Sequence, residues 1–403
     1  MATFPALIVQ GARQVGKSTF AGQLVEGLPA TTVTLDDDDM RLAALADPRG
    51  FVGQRPDGTL VIDELQRAPE LILAIKAEID RDRRPGRFLL TGSSNLLALS
   101  KTPDSLAGRA VDLEFQGLSQ GELEGTLDDL PARLRQGIDG ARWQSGITRA
   151  GYAARITCGG YPEARDVTTR MTNVWFDGYV VRLLEKDLVD IESRIDSGRV
   201  ASVLRLLAAN QSGELVKARV ARDAGISESS VTACLDLLST LYLTSTLKPW
   251  TPNLTKREAS RPKVIVNDPG LALRLARLRE EQLTAIPSDA LGPALEGFVV
   301  SELRKQRIWS EEEFELFHFR DRTGPEVDIV LEFGDGHVVG IEVKASSTYR
   351  SEHFSGLRFL RDRLGDRFLG GYVLGLSDRG ISMGDRLWGL PVSVLWETSE
   401  NRP

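Results

Sequence analysis

From Phe4 to Arg109, short apolar runs alternate with stretches of helical spacing. FPALIVQ, TTVTL, TLVID and RFLLTG read as strands, which predicts a parallel α/β sheet covered on both faces within residues 1–120. From about Gly117 to Ile195 the strand signal fades. VWFDGYVVRLLEKDLVDI carries apolar residues every three or four positions, as a helix packed on one side does, so residues 121–195 are read as a helical lid or linker. Between Ser197 and Leu247 come a helix (ASVLRLLAAN), a second (ELVKARVARDAG), a tight turn at Gly225-Ile226, a third helix capped by Ser227, and TLYLTSTLKPW as a β wing. That order predicts a winged helix-turn-helix over 196–285. Residues 286–403 follow an αβββαβ order: ALEGFVVSELRKQ, FELFHFRD, EVDIVLEF, HVVGIEVKA, GLRFLRDRL and FLGGYVLGL. No internal repeat or long low-complexity stretch interrupts the chain.

With 403 residues, 41% of them hydrophobic, the chain can bury substantial cores, which excludes a disordered tail or a disulfide miniprotein. A formal charge of -7 argues against a surface that is basic overall, so any nucleic-acid contact is local. Only ten of the 50 Lys and Arg residues are lysines, so each lysine is informative. Cys158 and Cys234 lack the paired spacing of a zinc site, and His318, His337 and His353 add no ligand cluster. No apolar run reaches the ~18 residues of a membrane span, and the N-terminus lacks a basic leader. A cytoplasmic protein without membrane contact is expected.

Residues 11–18 read GARQVGKS, which matches G-x-x-x-x-G-K-[ST] between an apolar strand and a helix. Chance places the bare pattern in such a chain roughly 1% of the time. In this reading the backbone of Gly11, Ala12, Arg13, Gln14, Val15 and Gly16 cradles phosphates, with Thr19 just beyond. Lys17 reaches the β- and γ-phosphates, and the Ser18 hydroxyl ligates Mg²⁺. LVIDE, residues 60–64, ends a buried strand in two carboxylates. Asp63 is expected to hold the metal through its water shell, and Glu64 to polarise an attacking water. RFLLTGSSN offers Thr91, Ser93 or Asn95 to the γ-phosphate, with capping of the next helix by Ser93 or Ser94 equally consistent. Arg109 is a candidate positive fork for the transition state, acting in its own chain or in a neighbouring subunit; a surface ion pair fits it as well.

GARQVGKS, LDD at 35–37, IDELQRAPEL, LLTGSS and SLAGR resemble, in that order, the bacterial and archaeal AAA-type ATPases whose C-terminal half is a domain of unknown function. GGYPEAR, KVIVNDPGLALRL, ALEGFVVSEL, EVDIVLEF and IEVKAS extend the resemblance over nearly the whole chain. It implies an α/β fold in which a P-loop NTPase parallel sheet precedes a helical lid, a winged helix and a restriction-endonuclease-like domain. It also implies ATP binding with Mg²⁺ and hydrolysis. One departure is that ten residues precede Gly11, where relatives carry a further helix that encloses the base, so an open adenine pocket or a misplaced start is expected.

In the C-terminal stretch, Glu342 and Lys344 lie two apart on one strand and so project from the same face. Asp328 stands on another apolar strand, and Glu296 on the helix before both. Asp328 and Glu342 could bind Mg²⁺, with Lys344 activating a water and Glu296 adding to the metal shell. This arrangement resembles the PD-(D/E)xK nucleases. A buried salt-bridge cluster in a fold that no longer cuts is the alternative. Residues 290–403 carry 14 Lys and Arg against 19 Asp and Glu, a poor balance for gripping a polyphosphate, although RKQR (304–307) or RFLRDR (358–363) could supply a local track. SESSVTACLDLLSTL, the recognition helix of the expected winged helix, has no Lys or Arg, so its apolar face suits a protein partner as well as DNA; Arg219, Arg222, Lys256 and Arg257 flank it. Three functions remain open at this point: a Mg²⁺-dependent ATPase controlling its C-terminal half, a nucleotide-gated regulatory module with little turnover, and an ATP-regulated metal-dependent nuclease. Each allows a homo-oligomer.

Overall fold

The computed structural model describes residues 2–93, 106–138, 140, 143–187, 196–252, 261–321 and 324–397. Asn95, Ser94, Lys256 and Arg257 lie outside the described residues. The chain divides into two compact units: Met1–Gly117 with Leu237–Leu243, and Leu118–Asp236 with Thr244–Pro403. Apart from Leu237–Leu243, the three C-terminal segments distinguished in the sequence share one unit.

The first unit is a five-stranded, all-parallel sheet of β1 (Ala6–Gln10), β2 (Ala30–Thr34), β3 (Thr59–Asp63), β4 (Phe88–Gly92) and β5 (Ala110–Glu114), in the order β2-β3-β4-β1-β5. Central strands of a parallel sheet are covered on both faces, so they read as unbroken apolar runs; Leu60, Val61, Ile62, Leu89 and Leu90 are all buried. β5 was missed in the sequence because it is an edge strand, where AVDLE mixes exposed and half-buried positions. Helix α1 (Lys17–Leu24) starts from Gly16, whose φ of 102° replaces a side-chain cap. Helix α2 (Asp38–Ala46) is capped by Asp37, which accepts from the amides of Asp39 (2.9 Å) and Met40 (3.0 Å). α3 (Pro48–Gly53) and α4 (Leu71–Arg81) follow, and α4 buries Leu71, Ile72, Ile75 and Ile79.

In the second unit, five α-helices come first among the described residues: α5 (Gln120–Glu124), α6 (Leu130–Gln136), α7 (Arg149–Cys158), α8 (Thr169–Arg182) and α9 (Ser197–Ala209). Then α10 (Lys217–Ala224) and α11 (Glu228–Thr240) lead into an antiparallel pair, β6 (Thr244–Pro249) with β7 (Lys263–Val266). This pair does not stand free. β6 also runs parallel to β8 (Phe314–Arg320), so β6 and β7 become the last two strands of an eight-stranded sheet. The remaining strands are β9 (Glu326–Phe333), β10 (Val338–Val343), β11 (Phe368–Gly375), β12 (Ile381–Ser382) and β13 (Leu387–Pro391).

Two further short helices, α12 (Pro269–Leu275) and α13 (Glu280–Thr284), precede the long α14 (Leu291–Gln306); α15 (Ser355–Leu364) follows β10. In β9, Ile329 and Leu331 join the core that holds Leu295, Phe298 and Val299 of α14, and Val330, on the opposite face by period-two alternation, packs with Leu357 and Leu360 of α15; Val327 joins that second cluster too, out of step with the alternation. The sheet is therefore sandwiched between α14 and α15. Two terminal strands, β12 and β13, were not foreseen, because SDRGISMGDRLWGLP is broken by turn residues.

Candidate functional sites

In a parallel sheet the loops after the strands gather at one end, which is where ligands of such sheets bind. The register sets Ile62 beside Leu90 and Gln10 beside Gly92, so the loop at 11–16, Asp63 and Thr91 all emerge at that end. Gly11 allows the loop to leave β1 close to the next strand: a Cβ there would stand 1.9 Å from the Phe115 carbonyl oxygen. Gln14 (φ 60°) and Gly16 (φ 102°) alternate with ordinary backbone, a geometry that curls successive N–H groups toward a common concavity. Ala12 and Val15 are buried beneath it, Arg13 is half-buried, and Thr19 is exposed on α1.

Lys17 is only 5% exposed and folds back over the loop, donating to the carbonyl oxygens of Gly11 (3.0 Å) and Ala12 (2.7 Å). Burial lowers its pKa to about 8, against the pull of Glu64 and Asp63. Ser18 donates its hydroxyl to both carboxylate oxygens of Asp63, each at 3.1 Å, and the Thr91 hydroxyl also donates to Asp63. Thr91 in turn accepts from the amide of Glu64 at 3.3 Å. Glu64 adopts φ 58°, a left-handed conformation that costs a non-glycine residue about 1 kcal/mol or more and clusters at functional positions. Ser93 donates to the Glu64 carboxylate at 3.1 Å. Gln66, which the sequence did not single out, donates to both Glu64 and Ser93, the latter at 2.8 Å. No motif marks Gln66; only the turn at Glu64 brings it back to the strand end.

Arg109 is not brought to this cluster. It precedes β5, and since Ala6 pairs with Ala110 and Gln10 with Glu114, Arg109 stands one strand length, roughly 16 Å, from the loop end of the sheet. There it makes a two-pronged ion pair with Asp80, Nε to Oδ1 at 2.8 Å and Nη2 to Oδ2 at 3.0 Å. The surface ion pair is the arrangement found within the chain.

Parts of the chain are similar to known proteins. Residues 3–124 match the family model described as AAA domain. This part of the chain is similar to AAA domains. Beyond it, residues 149–282 match a domain of unknown function (DUF8612) and residues 291–395 another (DUF4143). Uncharacterized proteins of Mycobacterium bovis and Mycobacterium tuberculosis are each 28% identical over 345 residues, covering 85% of this chain and 71% of theirs. Among solved structures, the Walker-type ATPase of Pyrococcus abyssi aligns over 68% of this chain and 91% of its own, with 15% identity and a TM-score of 0.42. A signal transduction ATPase with numerous domains and a tetratricopeptide repeat sensor, from Pyrococcus horikoshii, covers 75% of this chain and 43% of its own, at 10% identity and a TM-score of 0.26. Among the described residues no helix is long and apolar enough to cross a membrane.

The second cluster lies in the C-terminal unit, where the fold brings Glu296 of α14, Asp328 of β9, Glu342 of β10 and Lys344 together, and adds Lys263 of β7. Lys263 Nζ donates to Glu296 Oε1 at 2.6 Å and stands 3.7 Å from Asp328 Oδ1. Lys344 Nζ donates to Glu342 Oε1 at 2.5 Å and stands 4.0 Å from Asp328 Oδ2. Backbone amides complete the set, with Asp328 N on Glu342 Oε2 (3.2 Å) and Val343 N on Asp328 Oδ2 (2.9 Å). Burial, and then the Asp328 charge, push Glu296 up to about 8 and Glu342 up to about 7. Burial opposes the charge on Lys263 and Lys344, but the facing carboxylates outweigh it and raise both. Burial and mutual repulsion thus favour a proton on Glu296 or Glu342 beside the two ammonium groups. Sequence reading missed Lys263 because it sits 33 positions before Glu296 and joins the cluster only through the pairing of β6 and β7 with the sheet.

Proposed function

We propose that the AAA domain binds ATP with Mg²⁺ and hydrolyses it, and that its nucleotide state controls what the C-terminal unit does. The observation that carries this is the meeting of Ser18 and Asp63 at 3.1 Å beside the Gly-rich loop, with the Glu64–Ser93 pair next to it. A hydroxyl against a carboxylate is a donor set suited to a hard cation that keeps much of its water shell, so Ser18 and Asp63 fit Mg²⁺. When bound, the ion would neutralise phosphate charge. Lys17 would exchange the carbonyls of Gly11 and Ala12 for phosphate oxygens, and the backbone of residues 11–16 would cradle the chain of phosphates. Thr91 would hold Asp63, while Ser93 and Gln66 would hold Glu64 aimed at a water.

The order of α9, α10, α11, β6 and β7 supports a winged-helix reading for the middle of the chain, with a protein surface or DNA as its partner. The α14, β8 to β11 and α15 sandwich supports a nuclease-like fold in the last part. Glu64→Gln tests the catalytic claim: steady-state phosphate release should fall on the order of 10²-fold or more while ATP affinity is kept. Release equal to wild type, with ATP still bound, removes Glu64 from the reaction.

A further inference from the structure

The four C-terminal residues that resemble a nuclease site imply a divalent metal, and the cluster offers a direct test of fit. A hard cation such as Mg²⁺ or Mn²⁺ needs several carboxylate or water oxygens free to face it at about 2.1 Å. Here both oxygens of Asp328, both of Glu342 and one of Glu296 already face a donor: the Lys263 ammonium, the Lys344 ammonium or a backbone amide. The side chains are recessed, with exposures of 15% for Glu296, 13% for Asp328 and 7% for Glu342, so a water shell has little room to complete the coordination. Among the described residues no group of three or more His, Cys, Asp or Glu is arranged to hold a metal ion. The group does not fit.

We infer that Lys263 takes the metal's place: its ammonium, carried on β7 and set between Glu296 and Asp328, is a tethered cation that closes the three-carboxylate site to divalent metals. The geometry separates the two lysines. Lys344 directly follows the strand that carries Glu342 and pairs with it locally, whereas Lys263 arrives from a different part of the chain, and only through the sheet extension by β6 and β7. An ammonium offers a single charge and hydrogen bonds in place of a divalent ion's coordination, so it can hold the carboxylates together without polarising a bound water for attack on phosphate. The cluster then serves as a fixed joint between α14, β7, β9 and β10, and the C-terminal unit is no metal-dependent nuclease. This inference does not depend on ATP binding by the other unit.

The test is Mn²⁺ binding to the nucleotide-free full chain, read as loss of the free-ion electron paramagnetic resonance signal. Wild type and Asp328→Asn should bind Mn²⁺ alike; asparagine keeps an acceptor for the Val343 amide while removing charge. Lys263→Met should gain a site about tenfold tighter or more, and Lys263→Met/Asp328→Asn should lose it again. Weaker Mn²⁺ binding in Asp328→Asn than in wild type overturns the inference, as does a folded Lys263→Met that gains no site. Thermal unfolding of the wild type covers the case in which a variant fails to fold. At about 5 mM Mn²⁺ the C-terminal transition should stay within about 1 °C of its value in chelator, and a rise of several degrees overturns the inference.

Discussion

Lys17 is buried against its own loop at a cost that can be worked out. Its pKa falls from the usual 10.5 to about 8, and at ~1.4 kcal/mol per tenfold change this corresponds to about 3 kcal/mol against the charged form. Because the folded-state value lies below the unfolded one, the unfolded chain binds more protons between pH 8 and 10.5. Stability therefore rises as pH climbs through that window, and the full penalty is present below pH 8. Lys17→Met removes the charge and keeps the length of the side chain. It also gives up the hydrogen bonds to the carbonyls of Gly11 and Ala12, which contribute about 1 kcal/mol each at most. The nucleotide-free variant is then expected to be about 1 kcal/mol more stable than wild type at pH 7.5, a rise of roughly 3–5 °C in the transition of the N-terminal unit. At pH 10.5 the penalty is nearly gone while the two hydrogen bonds are still missing, so the variant should be the less stable by up to about 2 kcal/mol. ATP with Mg²⁺ should stabilise wild type, by about 2.7 kcal/mol at a hundredfold excess over Kd, and should leave Lys17→Met unmoved. Thermal unfolding at the two pH values, with and without ATP and Mg²⁺, reads all of this. A variant less stable than wild type at pH 7.5, or one that ATP still stabilises, refutes the reasoning.

Arg109 stands at the far end of its own sheet, so a part in hydrolysis requires that it reach the site of a neighbouring copy. Arg109→Ala should keep ATP affinity and lose hydrolysis on the order of 10³-fold, and wild-type turnover per chain should rise with protein concentration; turnover by Arg109→Ala at the wild-type rate leaves the Asp80 pair as its whole role. At the second cluster, the folded-state pKa of Glu296 lies above the ordinary 4.5, so stability is lost as pH rises from there through about 8. Glu296→Gln should flatten that decline, by on the order of 1–3 kcal/mol at pH 8.5 because the Lys263 charge offsets part of the burial penalty. Denaturant unfolding across pH 5–9 checks it, and an equally steep decline in the variant would show that Glu296 does not carry the proton.

The elements that sequence reading located are those whose pattern is local. GARQVGKS fixes its own loop, β1, β3 and β4 announce themselves because central parallel strands are apolar on both faces, and the edge strand β2 shows through its β-branched run TTVTL. β5 escaped because an edge strand needs only half its positions buried, and β12 and β13 escaped because they are short and punctuated by glycines. At the nucleotide site, Asp63, Glu64 and Ser93 were readable as strand ends. Gln66 was not, since its contribution depends on the left-handed turn at Glu64. Arg109 shows the reverse failure: proximity in sequence to a site strand suggested proximity in space, and the parallel register puts the residue at the opposite end. Lys263 is the hardest case, because it reaches Glu296 only after β6 has paired with β8.

The two lysines together show why the direction of a pKa shift is informative about function. Lys17 and Lys263 are both largely buried, and burial works against the charge of each. Lys263 ends with its pKa raised because Glu296 and Asp328 face it, so its charge is already balanced inside the fold. Lys17 ends with its pKa lowered because its direct partners are neutral carbonyls and the nearby carboxylates only partly compensate. A buried cation left short of negative charge, at the mouth of a loop curled to face anions, is stabilised by the arrival of a polyphosphate; a buried cation already paired gains nothing from a ligand and excludes other cations. On this argument the N-terminal unit is the part of the chain built to change state when a small molecule binds, and the carboxylate cluster of the C-terminal unit is built to stay as it is.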